Sequence, residues 1–193
     1  MIPRRTFLAG AGLTVLAPLA GCAKSTGLAR QANSGAGRRA IGTVEQIAAA
    51  HRKAVLTVSG TTLTGQALST ASWRGKVVVL NYWGSWCPPC VKETPALREA
   101  WHQLRPKGVQ FLGLDSQESA ATGLAFMNAN HLDYPSLAWD GGTFLLQLKG
   151  KAPAPPVTLV LDRQGRLAAR VLSEVTTTTL VGLVEDVLAE AVA

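Results

Sequence analysis

The chain has 193 residues, 47% of them hydrophobic, and a formal net charge of +7. That length supports one domain with its own core plus an extension, so the fold needs no disulfide staples. Lys and Arg number 19, divided 2, 6 and 11 over residues 1–22, 23–53 and 54–193, and Asp and Glu number 12, divided 0, 1 and 11. The part from residue 54 is therefore neutral. A nucleic-acid binder would carry its basic patch on the folded domain, so that class is set aside, and a basic stretch beside an anionic bilayer fits better.

In chain order, residues 1–22 read as a signal peptide with a lipobox. Arg4 and Arg5 precede an uncharged apolar run from Phe7 to Ala20, which is short for a transmembrane helix of about 20 residues but of signal-peptide length. Leu19-Ala20-Gly21-Cys22 resembles a bacterial lipobox, with Cys22 as the lipidated residue, and the Arg-Arg-x-Phe-Leu pattern resembles a twin-arginine export signal. Residues 23–53 are small and polar and are predicted to form a flexible basic tether, with a short helix within 42–53 around Val44, Ile47 and Ala48.

From residue 54 to 193 the pattern is that of a folded domain. Val55–Val58 and Thr61–Thr64 around Ser59-Gly60 predict a β-hairpin. The β-branched run from Lys76 to Tyr82 predicts a central strand buried on both faces. A helix is predicted from about Cys87 to Pro106, a second buried strand over Val109–Leu114 and a helix over Ser119–Asn130. A short extended piece over Tyr134–Trp139 and a short helix over Thr143–Leu148 follow. Strands over Val157–Leu161 and Leu167–Leu172 flank the turn Asp162-Arg163-Gln164-Gly165, and a helix over Val181–Val192 closes the chain. Strands alternating with helices imply an α/β sheet of mixed direction.

The chemistry is concentrated at Cys87 and Cys90, the cysteines left once Cys22 is assigned to lipid. They are three apart, at a strand-to-helix junction. The partial positive charge of a helix start favours a thiolate on the first, and the second lies one turn on, able to resolve a mixed disulfide. Pro88 and Pro89 between them lack N–H groups that would be unpaired there in any case, and they stiffen the ring. Two other readings compete. A zinc site would want four ligands, yet His51, His102 and His131 stand singly with no second cysteine pair. A purely structural disulfide across so small a loop would restrain the unfolded chain little. Glu93, three residues beyond Cys90, shares its helical face and is a candidate to exchange a proton with it; an exposed first-turn glutamate stabilising the helix start is the plainer alternative.

Trp86-Cys87-Pro88-Pro89-Cys90 after Val77-Val78-Val79-Leu80-Asn81 resembles the thioredoxin superfamily, and within it the TlpA/ResA-like, membrane-tethered thiol–disulfide oxidoreductases. The resemblance runs from about Leu63 to the C-terminus and includes Trp73-Arg74-Gly75-Lys76, Pro95, Pro156-Val157-Thr158 and Gly165. It implies a thioredoxin fold, a central mixed β-sheet flanked by helices, here with an N-terminal β-hairpin extension. It implies a bend of the active-site helix at Pro95, a functional glutamate at Glu93, and a cis-proline at Pro156 beside Cys87. Pro155 departs from the family pattern at a position that tunes redox behaviour. Asn81 stands where cytoplasmic thioredoxins carry a buried aspartate. Trp86 and Trp83 are expected to flank the site, and Trp73, Trp101 and Trp139 to belong to the core.

The function this implies is exchange with protein thiols and disulfides through a Cys87–Cys90 pair, with no cofactor or metal. Such proteins reduce disulfides outside the membrane, notably in apocytochrome c, with electrons from a membrane thiol-transfer protein. The expected place is the outer face of a bacterial plasma membrane, with lipid on Cys22 as anchor. The same residues would serve an oxidant that installs disulfides in exported proteins. A non-catalytic lipoprotein scaffold or chaperone is the reading of a different class.

Overall fold

The computed structural model describes residues 38–41 (backbone alone), 44–53 and 55–190. The signal peptide, lipobox and Cys22 lie outside the described residues. In chain order the elements are β1 Arg38–Ile41, β2 Val44–Ile47, β3 Ser59–Thr61, β4 Ala67–Ser69, β5 Val78–Trp83, α1 Pro88–Leu104, β6 Gln110–Asp115, α2 Ala120–Ala129, β7 Ser136–Leu137, α3 Thr143–Gln147, β8 Val157–Leu161, β9 Leu167–Val171 and α4 Thr177–Leu188. Among the described residues no helix is long and apolar enough to cross a membrane.

The main sheet has seven strands in the order β1-β2-β9-β8-β5-β6-β7. Strand β5 pairs parallel with β6 and antiparallel with β8, so the sheet is mixed, as the element order implies. All six residues of β5 are buried, which explains its unbroken apolar run. The pleat sends alternate residues to opposite faces. Val77, Val79, Trp83 and Phe111 join Leu97, Leu104, Leu180 and Val184 in a core under α1 and α4. Val78, Leu80, Leu112 and Leu114 join Leu56, Val58, Phe144 and Leu148 on the other face. Each of these large apolar side chains is worth about 1.5–3 kcal/mol when removed from water. Leu104, fully buried, would cost about 2–5 kcal/mol as alanine.

Several expectations move. The flexible tether expected over 23–53 does not hold at residues 38–41 and 44–47, which form β1 and β2, and β2 adds antiparallel to the edge of β9. The helix expected within 42–53 is replaced by β2 and a single 3₁₀ turn, Ala49–His51. Arg52 ties this segment down: buried, it donates to Ile47 O at 2.9 Å, to Asp162 at 3.3 Å and to both oxygens of Glu190 at 2.6 Å. The hairpin lies later than 55–64. Strands β3 and β4 pair Ser59 with Ser69, and the turn is closed by Thr62 N–H on Gln66 O at 2.8 Å, with Gly65 at φ +83° where a side chain would be strained. Helix α4 starts four residues before Val181, because the Thr176 hydroxyl caps it by accepting Thr179 N–H at 3.2 Å. Trp73, Trp101 and Trp139 are half-buried against the two cores rather than inside them, whereas Trp83 is buried.

Candidate active site

Strand β5 carries the chain to the site, and its pleat selects what arrives beneath α1. Asn81 belongs to the same alternate series as Val79 and Trp83, so it meets Glu93 of α1, donating from Nδ2 to Oε1 at 2.8 Å. After Trp83 the chain turns sharply. A Cβ on Gly84 would lie 2.6 Å from the Trp86 indole nitrogen, so the turn needs glycine there. Cys87 N–H then donates to Gly84 O at 3.1 Å, and Cys87 becomes the extended N-cap of α1.

Pro88 and Pro89 occupy the first two helical positions. Neither has an N–H, so the first amide hydrogen of the helix is that of Cys90, and it points at Cys87 Sγ, 3.3 Å away. When Cys87 is a thiolate, that bond becomes charge-assisted and the helix start adds a partial positive charge. The two cysteines are joined in a disulfide with Cα atoms 5.2 Å apart and are 3% and 2% exposed. Pro95 lies inside α1, and Thr94 Oγ1 donates to Cys90 O at 3.0 Å.

Glu93 is 2% exposed, which decides against the exposed first-turn alternative. Its Oε2 accepts Val175 N–H at 2.9 Å. Burial pushes its carboxyl up to about 7; the Asn81 and Val175 donors oppose that rise, and the Glu174 charge adds to it. Asn81 Nδ2 also donates to Thr158 Oγ1 at 3.2 Å, while Asn81 Oδ1 is buried without a partner.

The Pro155–Pro156 peptide is cis. The β5–β8 register pairs Tyr82 with Val157, so its next step sets Pro156 opposite Trp83, four residues before Cys87. Pro156 is buried and Pro155 half-buried. Trp86 is 50% exposed and its indole N–H donates to Ser116 O at 2.6 Å. Asn81, Trp86, Cys87, Pro88, Pro89, Cys90, Glu93 and Pro156 thus gather at the C-terminal end of β5, the end where open α/β sheets commonly bind ligands.

Other residues here were missed in the sequence. Thr158 and the Val175 amide complete the Glu93–Asn81 network. On the far side of the Gly84–Trp86 turn, Glu118 accepts Ser85 N–H at 2.8 Å and pairs with the Ser85 hydroxyl. Asp115, fully buried, ends β6 opposite Trp83. The one available signal was positional: an acid closing a buried apolar strand at the level of the cysteines.

Comparison with known proteins agrees with this geometry. Residues 49–188 match the family model described as Redoxin. The thiol–disulfide oxidoreductase ResA of Bacillus thuringiensis strain Al Hakam is 32% identical over 127 residues, which are 66% of this chain and 72% of that protein. The crystal structure of a secreted thiol–disulfide isomerase from Corynebacterium glutamicum superposes with a TM-score of 0.72 at 30% identity, covering 77% of this chain and 93% of that one. A DsbF homologue from Corynebacterium diphtheriae gives a TM-score of 0.65 at 31% identity over 75% and 92% of the two chains.

Proposed function

We propose, because this chain belongs to the redoxin family and is a TlpA/ResA-like thiol–disulfide oxidoreductase of the thioredoxin superfamily, that it is an exported, lipid-anchored reductase of disulfides in extracytoplasmic proteins, apocytochrome c among them. The observation that carries the reading is the buried Glu93 carboxyl on the Cys90 face of α1, tuned to about 7. The secreted neighbour from Corynebacterium supports a place outside the cytoplasm. Lipid on Cys22 and a membrane dithiol protein as electron donor belong to the same proposal, with no cofactor beyond the cysteine pair.

The steps follow from the geometry. In the reduced protein, Cys87 Sγ carries the negative charge, held by the Cys90 N–H. It attacks one sulfur of the substrate disulfide; an S–S bond forms to Cys87 and the other substrate sulfur leaves as a thiolate that takes up a proton. Glu93, ionised in about half of the molecules near pH 7, then accepts the Cys90 proton. Cys90 Sγ attacks Cys87 Sγ, the second substrate thiolate departs, and the Cys87–Cys90 disulfide remains. Two electrons have passed to the substrate, and a donor dithiol restores the pair. Pro156 shapes the groove in which the substrate chain lies, Trp86 offers it an exposed apolar face, and Pro155 tunes the potential.

A second reading is that the pair runs the other way, as an oxidant that installs disulfides. It is favoured by the two Corynebacterium neighbours, named as an isomerase and a DsbF homologue. The direction depends on the potential of the pair against its partners. The test is a Cys90→Ala variant expressed in the native cell. It is expected to hold its substrate on Cys87 as a mixed disulfide, with apocytochrome c among the trapped proteins. The wild-type pair is expected to be reduced in the cell. A pair found oxidised, with c-type cytochromes intact in a deletion strain, would establish the oxidant; full function of Cys87→Ser would favour the scaffold.

A further inference from the structure

A second buried carboxyl, at the C-terminal end of β6, takes no part in the steps above. Asp115 is 0% exposed. Its Oδ1 accepts Ser116 N–H at 2.8 Å, but Oδ2 is buried with no donor. Helix α2 closes over that oxygen so tightly that a Cβ on Gly123 would stand 2.4 Å from it. Beside Asp115 is the carboxyl of Glu118, itself committed to the Ser85 amide and hydroxyl. Two adjacent ionised carboxylates repel, and a buried anionic oxygen without a donor is costly. One proton on Asp115 removes both penalties, because a neutral carboxyl carries no charge to repel the Glu118 carboxylate beside it and has a hydrogen to donate to it.

We propose that Asp115 is a positioning residue for the exchange reaction: it stays protonated, donates to Glu118, and thereby fixes Glu118 as the acceptor that holds Ser85, two residues before the Cys87 sulfur. Neighbouring contacts point the same way. The Trp86 indole N–H donates to Ser116 O at 2.6 Å, and the Tyr82 and Ser116 hydroxyls lie 3.0 Å apart, so the whole Gly84–Trp86 turn rests on residues 115–118. Burial and the Glu118 carboxyl, against the single Ser116 donor, raise the Asp115 acid to about 8. The β5–β6 register sets Trp83 beside Asp115, and Gly123 of α2 covers its Oδ2. Neither carries an ionisable group, and the Tyr82 hydroxyl is engaged by Ser116. The charged group acting on Asp115 is Glu118.

The proposal rests on Cys87 as the attacking thiol, and the test separates the two. Infrared titration of the reduced full-length protein should show a protonated-carboxyl band that persists towards pH 8 and is missing in Asp115→Asn. With insulin as the disulfide substrate, Asp115→Asn, which keeps a donor in place, should retain the pH 7 rate within about twofold, while Asp115→Ala should lose about tenfold. Near-ultraviolet circular dichroism would show that both variants are folded. Absence of the band, an Asn variant as slow as the Ala variant, or an Ala variant as fast as wild type would each overturn the positioning role. Exchange that survives Cys87→Ser would overturn the reading of Cys87 and leave the infrared result standing.

Discussion

Glu93 and Asp115 are both buried almost without solvent contact near the C-terminal end of β5, and they differ in the hydrogen-bond donors they receive. Glu93 receives two donors, the Asn81 amide and the Val175 N–H, and its acid sits at about 7. Asp115 receives one donor and a like-charged neighbour, and its acid sits at about 8 from a lower starting value. Burial raises both. The second donor on Glu93 and the hydrogen-bonded Glu118 carboxyl beside Asp115 separate the two. The acid proposed to take and return a proton near neutrality is the one with two donors, and the acid proposed to hold a loop is the one with a single donor.

The largest effect is expected from Glu93→Gln. It removes the group that takes the Cys90 proton, and the exchange rate at pH 7 should fall by about a hundredfold, at the low end for a positioned acid–base group. The step near pH 7 in the rate profile should vanish with it. Asn81→Asp turns the Glu93 side into a copy of the other, replacing a donor by a carboxylate. The Glu93 midpoint, followed by carbon NMR of the side chain, should climb above about 7. Denaturant unfolding at pH 7 should show a loss of roughly 2–3 kcal/mol.

Stability also carries the sign of both shifts. For Glu93 the folded value, about 7, lies above the unbound 4.5, so its contribution is complete below 4.5 and drains away as pH rises through 7. For Asp115 the window runs from 3.8 to about 8. Unfolding free energies should therefore decline from pH 4 to pH 8, and Glu93→Gln should flatten the earlier part of that decline. A smaller change is expected from Gly123→Ala, whose Cβ would press on Asp115 Oδ2 and come within 3.2 Å of Leu63; about 1–2 kcal/mol should be lost by overpacking. The smallest is Thr158→Val, which deletes one acceptor of the Asn81 amide and should cost about 1 kcal/mol.

The site was legible where its signal is local. Cys87 and Cys90, the prolines between them and Glu93 are fixed by spacing on one helix, and β5 announces itself by an unbroken apolar run. Asn81 was noticed for its position, but its contact with Glu93 depends on how the strand pleat faces the helix. The Val175 amide and Thr158 come from chain segments 82 and 77 residues distant from their partners, so no window of sequence holds the network. Asp115 and Glu118 read as ordinary acids at a strand end and a helix approach; the burial of Asp115 and the hold of Glu118 on Ser85 exist only after β6 is laid beside β5. Strands β1 and β2 are four residues each, too short for periodicity, and β2 is specified by its distant partner β9.

That pairing of β2 with β9 has a colloidal consequence. Without it, Leu167-Ala168-Ala169-Arg170-Val171 would be the last strand of the main sheet, presenting a row of open amides and carbonyls to any second molecule. With β1 and β2 in place, the sheet ends among the described residues on Arg38–Ile41, a strand of four residues, and a short edge strand offers a second molecule little to pair with. The segment first read as tether thus also guards a sheet edge. A chain cut back to residue 49, where the redoxin match begins, would lose that guard, and light scattering should find it associating at concentrations where the longer chain stays dispersed.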